Sequence, residues 1–225
     1  MLTLLHTSPV HVPVFDALRD EDAPGFALRH LVHPELLARA REEGPEAVAG
    51  QVADVLGRAV RDGARAGLCT CSTIGSVAEK AGVALGLPVL RVDRPMAAAA
   101  VAAGPQVTVL ASVSSTLGPT ADLIAEEAER AGRVVSVREV LVPDAWERFE
   151  AGDEDGYLTA VATAAQGERD TDAIVLAQAS MASAAALMTD AGGSGVPVLS
   201  SPRSGLRAAV REAAHPGAGR AAPTR

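Results

Sequence analysis

The residues of this chain that could do chemistry crowd into one stretch, Leu68-Cys69-Thr70-Cys71-Ser72-Thr73-Ile74-Gly75-Ser76. Gly67 to Thr70 reads as a short buried strand, and a helix is predicted from Ser76 to Leu85. Cys71, Ser72 and Thr73 therefore fall at the carboxyl end of a strand and the amino end of a helix. Helix starts present unpaired backbone N–H groups and favour anions. The same field favours ionised thiols. A thiol, two hydroxyls and a helix start together suit proton transfer on a substrate that carries a carboxylate. Cys69 and Cys71 are two residues apart, so on a strand they share one face. Free cysteines are most often buried and inert. Cys71, nearer the open end, is the candidate catalytic residue, and Cys69 is expected in the core.

Other chemistries lack their residues. Lys80 is the only lysine, on the helix after the cysteine stretch, so a pyridoxal Schiff base would rest on that one residue. Gly192-Gly193-Ser194-Gly195 precedes a strand rather than following one, so it reads as a helix stop and turn and not as a phosphate loop. His30 and His33 could share a helix face, but no acidic or cysteine partner sits at ligand spacing, so no metal and no cofactor is expected. The net charge of −8, with no basic run, argues against nucleic acid and anionic membrane surfaces. The longest apolar runs, such as Met96 to Ala103, are too short to span a bilayer. The amino terminus runs into a strand without a charged leader, and two cysteines spaced C-x-C make no disulfide framework. A reduced, cytoplasmic chain is the expectation.

The elements that must position Cys71 follow from patterning. With 225 residues and 2% aromatics, the chain must build an aliphatic core. Strands are predicted at Leu2 to His6, Pro88 to Val92, Gln106 to Leu110, Val134 to Val140, Asp172 to Ala177 and Val196 to Leu199. Helices are predicted at Pro34 to Glu43, Pro45 to Asp62, Pro95 to Ala103, Pro119 to Ala131, Ser180 to Asp190 and Pro202 to Ala214. Two more, broken near Gly152, lie between Pro143 and Ala165. The predicted Pro45 to Asp62 helix carries Val48, Val52, Val55, Leu56 and Val60 at helical spacing. Val10 to Leu18 reads as a loop with apolar anchors, Arg19 to Gly25 as a polar turn, and 215–225 as a flexible tail. Strands alternating with helices give an α/β protein with parallel sheets.

The order also repeats. Leu2-Thr3-Leu4-Leu5 matches Val107-Thr108-Val109-Leu110, and Leu87-Pro88-Val89-Leu90 matches Val196-Pro197-Val198-Leu199. Arg94 then falls opposite Arg203, and Cys71-Ser72-Thr73 opposite Gln178-Ala179-Ser180. Two α/β halves of common design are expected: 1–95 with 200–214, and 96–199. Small-residue helices such as 96–103 could pack against a second copy of the chain.

These residues resemble the aspartate/glutamate racemase superfamily, which includes hydantoin racemases, maleate isomerase and arylmalonate decarboxylase. Cys71-Ser72-Thr73 is similar to the family's first catalytic loop, and Val175 to Ser180 stands where the second cysteine loop belongs. Ser112 and Ser115 resemble the hydroxyl pair that holds the substrate carboxylate, and His6-Thr7-Ser8 occupies the turn after the first strand. The resemblance implies two pseudosymmetric three-layer lobes, a site in the cleft between them, and chemistry without a cofactor. It implies Cys71 as the catalytic residue and Ser72, Thr73, Ser112, Ser115, Thr7, Gln178 and Ser180 as residues that bind a small carboxylate-bearing substrate. The departure lies at Gln178, which replaces the second thiol and cannot serve as a proton base near neutral pH. Two-cysteine racemisation is therefore in doubt. The readings left are single-cysteine proton transfer or addition, giving a racemase, isomerase or lyase, or a small-acid binding or regulatory protein. A thiol hydrolase would need a histidine near Cys71, and His6 is the one that could approach it.

Overall fold

The computed structural model describes residues 1–189 and 195–215; the predicted glycine turn at 192–195 and the predicted tail lie largely outside them. The chain divides into two compact units, Met1–Val92 with the chain from Arg203 on, and Asp93–Pro202. The first unit runs β1 (Leu2–His6), α1 (His11–Asp22), β2 (Leu28–Val32), α2 (Pro34–Glu43), α3 (Ala49–Arg61), β3 (Ala66–Cys69), α4 (Gly75–Leu85) and β4 (Val89–Arg91). The second runs α5 (Arg94–Ala103), β5 (Gln106–Ala111), α6 (Leu117–Arg130), β6 (Ser136–Leu141), α7 (Ala145–Glu150), α8 (Glu154–Gly167), β7 (Ala173–Leu176), α9 (Ala184–Thr189) and β8 (Val198–Ser200). The last helix, α10 (Ser201–Ala214), returns to pack on the first unit through Leu206, Ala209 and Ala213.

Each unit holds one four-stranded parallel sheet, ordered β2-β1-β3-β4 and β6-β5-β7-β8. The two orders are the same topology. The internal matches read from the sequence fall on equivalent strands: β1 on β5, and β4 on β8. Parallel sheets need helices on both faces, and the central strands β1, β3 and β7 are buried along their whole length. In the first unit Leu5 and Cys69 face a core made with α2, α3 and α4, while Leu2, Leu4 and Leu68 face Phe15 and α10. In the second, Val107, Val109 and Val175 face α5 and α6, while Leu110, Ile174 and Leu176 face Tyr157 and Val161 of α8.

The structure departs from the expected elements in four places. Val10 to Gly25 is neither loop nor turn but mostly helix α1. Only Phe15 of that helix is buried, so no apolar stripe marks it, and Pro13 sits in the first turn, where its missing N–H costs nothing. Strand β2 was not expected, because Leu-Arg-His-Leu-Val is a half-buried edge strand with two charged or polar members. His30 therefore lies on a strand and His33 stands just before α2, so they share no helix face. The helices predicted from Pro45 and Ser180 each begin as a 3-10 turn, at Pro45–Val48 and Ala179–Met181, and Val60 is exposed. Among the described residues no helix is long and apolar enough to cross a membrane, and no group of three or more His, Cys, Asp or Glu side chains could hold a metal ion.

A buried hydrogen-bonded chain fastens the carboxyl ends of β1, β2 and β3. Thr70 Oγ1 donates to Leu5 O at 3.2 Å, so it accepts from His6 Nδ1–H at 2.9 Å. That tautomer leaves His6 Nε2 to accept from His30 Nδ1–H at 2.8 Å, and His30 Nε2 faces Asp16 Oδ1 at 3.3 Å. His6 is fully buried against Phe15. Its pKa is pushed down to about 3 by burial, with His30 and His11 nearby adding to the effect. The pKa of His11 is likewise lowered by burial.

Two stability experiments follow from these contacts. Folded His6 stays neutral while unfolded His6 binds a proton near pH 6.5, so acid favours the unfolded chain. Its contribution is complete above about pH 6.5 and is lost toward pH 3, at up to about 1.4 kcal/mol per pH unit. The unfolding free energy measured by denaturant titration should fall accordingly, with the His6 ring proton unshifted in NMR spectra from pH 7.5 to 5; a His6 resonance titrating near its ordinary value refutes this. Glycine packing supplies the second experiment. A Cβ at Gly82 in α4 would meet Val89 Cβ at 2.7 Å and Leu87 O at 2.8 Å, whereas one at Gly57 in α3 meets its neighbours at 3.8 Å. Helix propensity alone favours alanine by about 1 kcal/mol at either position. Gly57→Ala should stabilise by up to that amount, and Gly82→Ala should destabilise by about 1–3 kcal/mol through overpacking, read from urea unfolding by circular dichroism.

Candidate active site

Cys71 sits in the connection between β3 and α4. Cys69 is fully buried, and Cys71 is half-buried on the same side, packed against the same apolar cluster. The Cys69 thiol points at Cys71 O at 3.5 Å. Strand alternation sends Thr70 to the opposite side, onto His6. Both ring nitrogens of His6 are engaged, one by Thr70 and one by His30, so His6 does not serve Cys71 as a base. That removes the support for a thiol hydrolase.

Ser72 and Thr73 are half-buried, and neither hydroxyl caps α4: the cap position is Ile74, without a side-chain bond. Among the described residues neither hydroxyl makes a hydrogen bond, nor does that of Thr7, which is nearly buried just past β1. The loop is braced from below by Arg91 at the end of β4, a residue the sequence reading missed. Arg91 is buried and its guanidinium donates to Ser72 O at 3.5 Å. A Cβ at position 75 would meet Arg91 Nε at 2.9 Å, so glycine is what lets α4 start directly over that side chain.

The equivalent junction of the second unit is built differently. Ser112 is buried just past β5, and Gln178 stands two residues past β7. Gln178 Oε1 accepts from Ser112 N at 2.6 Å, Ser112 Oγ at 2.9 Å and Val113 N at 3.3 Å. Ser180 Oγ pairs with the Tyr157 hydroxyl at 2.8 Å. Tyr157, the only tyrosine, is fully buried on α8. Burial raises its pKa, and hydrogen bonding to Ser112 and Ser180 partly offsets that, so it stays a neutral phenol. Nothing in the sequence marked Tyr157 except its rarity in a chain poor in aromatics. Ser115 lies apart from this cluster, exposed on the 3-10 turn Ser114–Thr116.

Lys80 is exposed and paired with Glu46 at 2.6 Å. Arg94 pairs with Glu126 and Glu127, and Arg203 with Glu21 and Asp22.

No curated protein matches the chain by sequence. Among solved structures, a glutamate racemase isoform from Bacillus anthracis superposes with a TM-score of 0.69 at 16% identity, covering 96% of this chain and 82% of the other. An aspartate racemase from Picrophilus torridus gives 0.66 at 15% identity, covering 95% and 94%. A cysteine variant of arylmalonate decarboxylase in its sulfate-associated form gives 0.66 at 21% identity, covering 99% and 96%. At these identities the likeness establishes the fold. The family assignment comes from the sequence itself: the Asp/Glu/Hydantoin racemase model matches residues 13–209, nearly the whole described chain, and the chain belongs to that family.

Proposed function

We propose that the chain is a cofactor-independent enzyme acting at a carbon next to the carboxylate of a small acid, with Cys71 as its proton-transferring or adding group. The observation that carries this reading is the state of the β3–α4 connection. The Cys71 side chain is partly accessible, the hydroxyls of Ser72 and Thr73 are unspent, and Cys69 is sealed in the core. Hydroxyls and backbone N–H groups at a helix start would hold a carboxylate and stabilise the enediolate as charge moves onto it. Cys71 would then take or return a proton on one face, or add to an unsaturated carbon. Thr7, Ser112, Ser115, Gln178 and Ser180 are assigned to substrate binding on the resemblance.

Two-base racemisation is disfavoured. Gln178 has no titratable proton, and its oxygen is already bound by Ser112 and Val113. Isomerisation or decarboxylation through a single thiol fits better. A second reading, a binding or regulatory protein that kept the pocket, is favoured by one observation: the polar groups of the β7 junction satisfy one another.

Proton NMR in deuterated water separates the two. The protein is offered pooled amino acids, hydantoins, malonates and unsaturated dicarboxylates, with Cys71→Ala alongside. Exchange, isomerisation or loss of carbon dioxide is expected with the wild type and should drop by at least about 100-fold in the variant. No chemical change, with line-broadening of one acid by both proteins, would replace the enzyme reading with the binding one.

A further inference from the structure

Gln178 is held in a way that ordinary turn chemistry does not require. Three donors, Ser112 N, Ser112 Oγ and Val113 N, converge on one atom at 2.6, 2.9 and 3.3 Å. Two of them are backbone N–H groups, so the atom they meet is the amide oxygen and not the nitrogen. The meeting is built into the sheet. Leu110 stands opposite Leu176, and Ala177 N donates to Leu110 O at 2.9 Å, so residue 178 must land beside residue 112. The Tyr157 hydroxyl is bonded to Ser180, two residues past Gln178.

Donors at these distances around one point have the geometry of an oxyanion pocket. An amide oxygen is a poor match for three of them. It offers two lone pairs, and the third donor is correspondingly long. A carboxylate offers about four acceptor positions, and charge-assisted hydrogen bonds are about twice as strong as neutral ones.

We propose that the Gln178 side chain is a built-in occupant of a carboxylate subsite formed by Ser112 and Val113, and that a ligand carboxylate binds there by displacing it. This rests on the reading of the chain as acting on small carboxylic acids. The displacement has two effects. The free protein leaves no buried donor unanswered, at the cost of affinity, which falls with the fraction of molecules whose Gln178 is already out. It also selects free acids. A ligand amide or ester carbonyl repeats the bonds Gln178 already makes and gains nothing by exchange, whereas an anion gains at all three donors. The two N–H groups of the released amide can then donate to the ligand's second carboxylate oxygen.

Two variants test this. Gln178→Ala vacates the subsite, so malonate should bind by titration calorimetry with a Kd at least about tenfold below that of the wild type, while neutral malonamide shows no such gain. Gln178→Glu puts an anion where the amide oxygen was. The introduced carboxyl, followed by carbon NMR, should titrate at least about one unit below the ordinary glutamate value of about 4.3, and malonate binding should be lost. Malonate bound no more tightly by Gln178→Ala than by the wild type, or an introduced carboxyl titrating at or above its ordinary value, overturns the inference. Neither readout passes through Cys71, so failure of the thiol chemistry and failure of the displacement are seen separately.

Discussion

A parallel ladder that stops leaves polar groups with no next strand to answer them, and each sheet of this protein meets that constraint with a side-chain hydrogen-bond cluster at its carboxyl edge. In the first unit the cluster is His6 between Thr70 and His30. In the second it is Gln178 on Ser112 and Val113. Both join the central strand of their sheet to the strand that follows it in the core, β1 to β3 and β5 to β7. The loops that carry the candidate residues can be irregular because the strands beneath them are fastened this way.

The same constraint is met on different sides of the two junctions. In the first unit the fastening is on the face of Thr70, and alternation leaves Cys71 on the other face, with Ser72 and Thr73 beyond it and uncommitted. In the second unit the residue that fastens the strand ends is itself the one at the position equivalent to Cys71. Gln178 therefore belongs to both the scaffold and the candidate site. A repeated architecture carries its thiols at one of the two equivalent junctions only, without any change in sheet order.

Much of this was written in the sequence. The internal matches pointed to two units of one design, because apolar strands such as Leu2 to Leu5 and Val107 to Leu110 are the fully buried centres of parallel sheets, where composition is most constrained. The Cys71 loop stood out by its thiol near the open end of a strand beside a helix start; serine and threonine there are ordinary turn and cap residues, and the family resemblance is what singled out Ser72 and Thr73. What stayed hidden was held by long-range contact. Helix α1 and strand β2 bury little, so their patterns are faint, and they are fixed by partners such as Asp16 to His30 and Arg29 to Asp62. Arg91 lies unmarked within the predicted strand Pro88 to Val92, and only the fold lays it under Gly75. The anchoring of Gln178 depends on a partner 66 residues away, and no local rule predicts it.

The scarcity of aromatic residues has an optical consequence. The chain has one tryptophan and one tyrosine, and both lie in the second unit. Trp146 stacks on Phe149 with ring centroids 5.2 Å apart, and Phe149 meets Tyr157 at 5.2 Å. Tyr157 ends at Ser180, beside the donors that hold Gln178. The intrinsic fluorescence of the protein is thus a private channel into the junction at the end of β7. The unit that carries Cys71 has only Phe15 and Phe26 among its ring chromophores, and it is nearly dark to the same light.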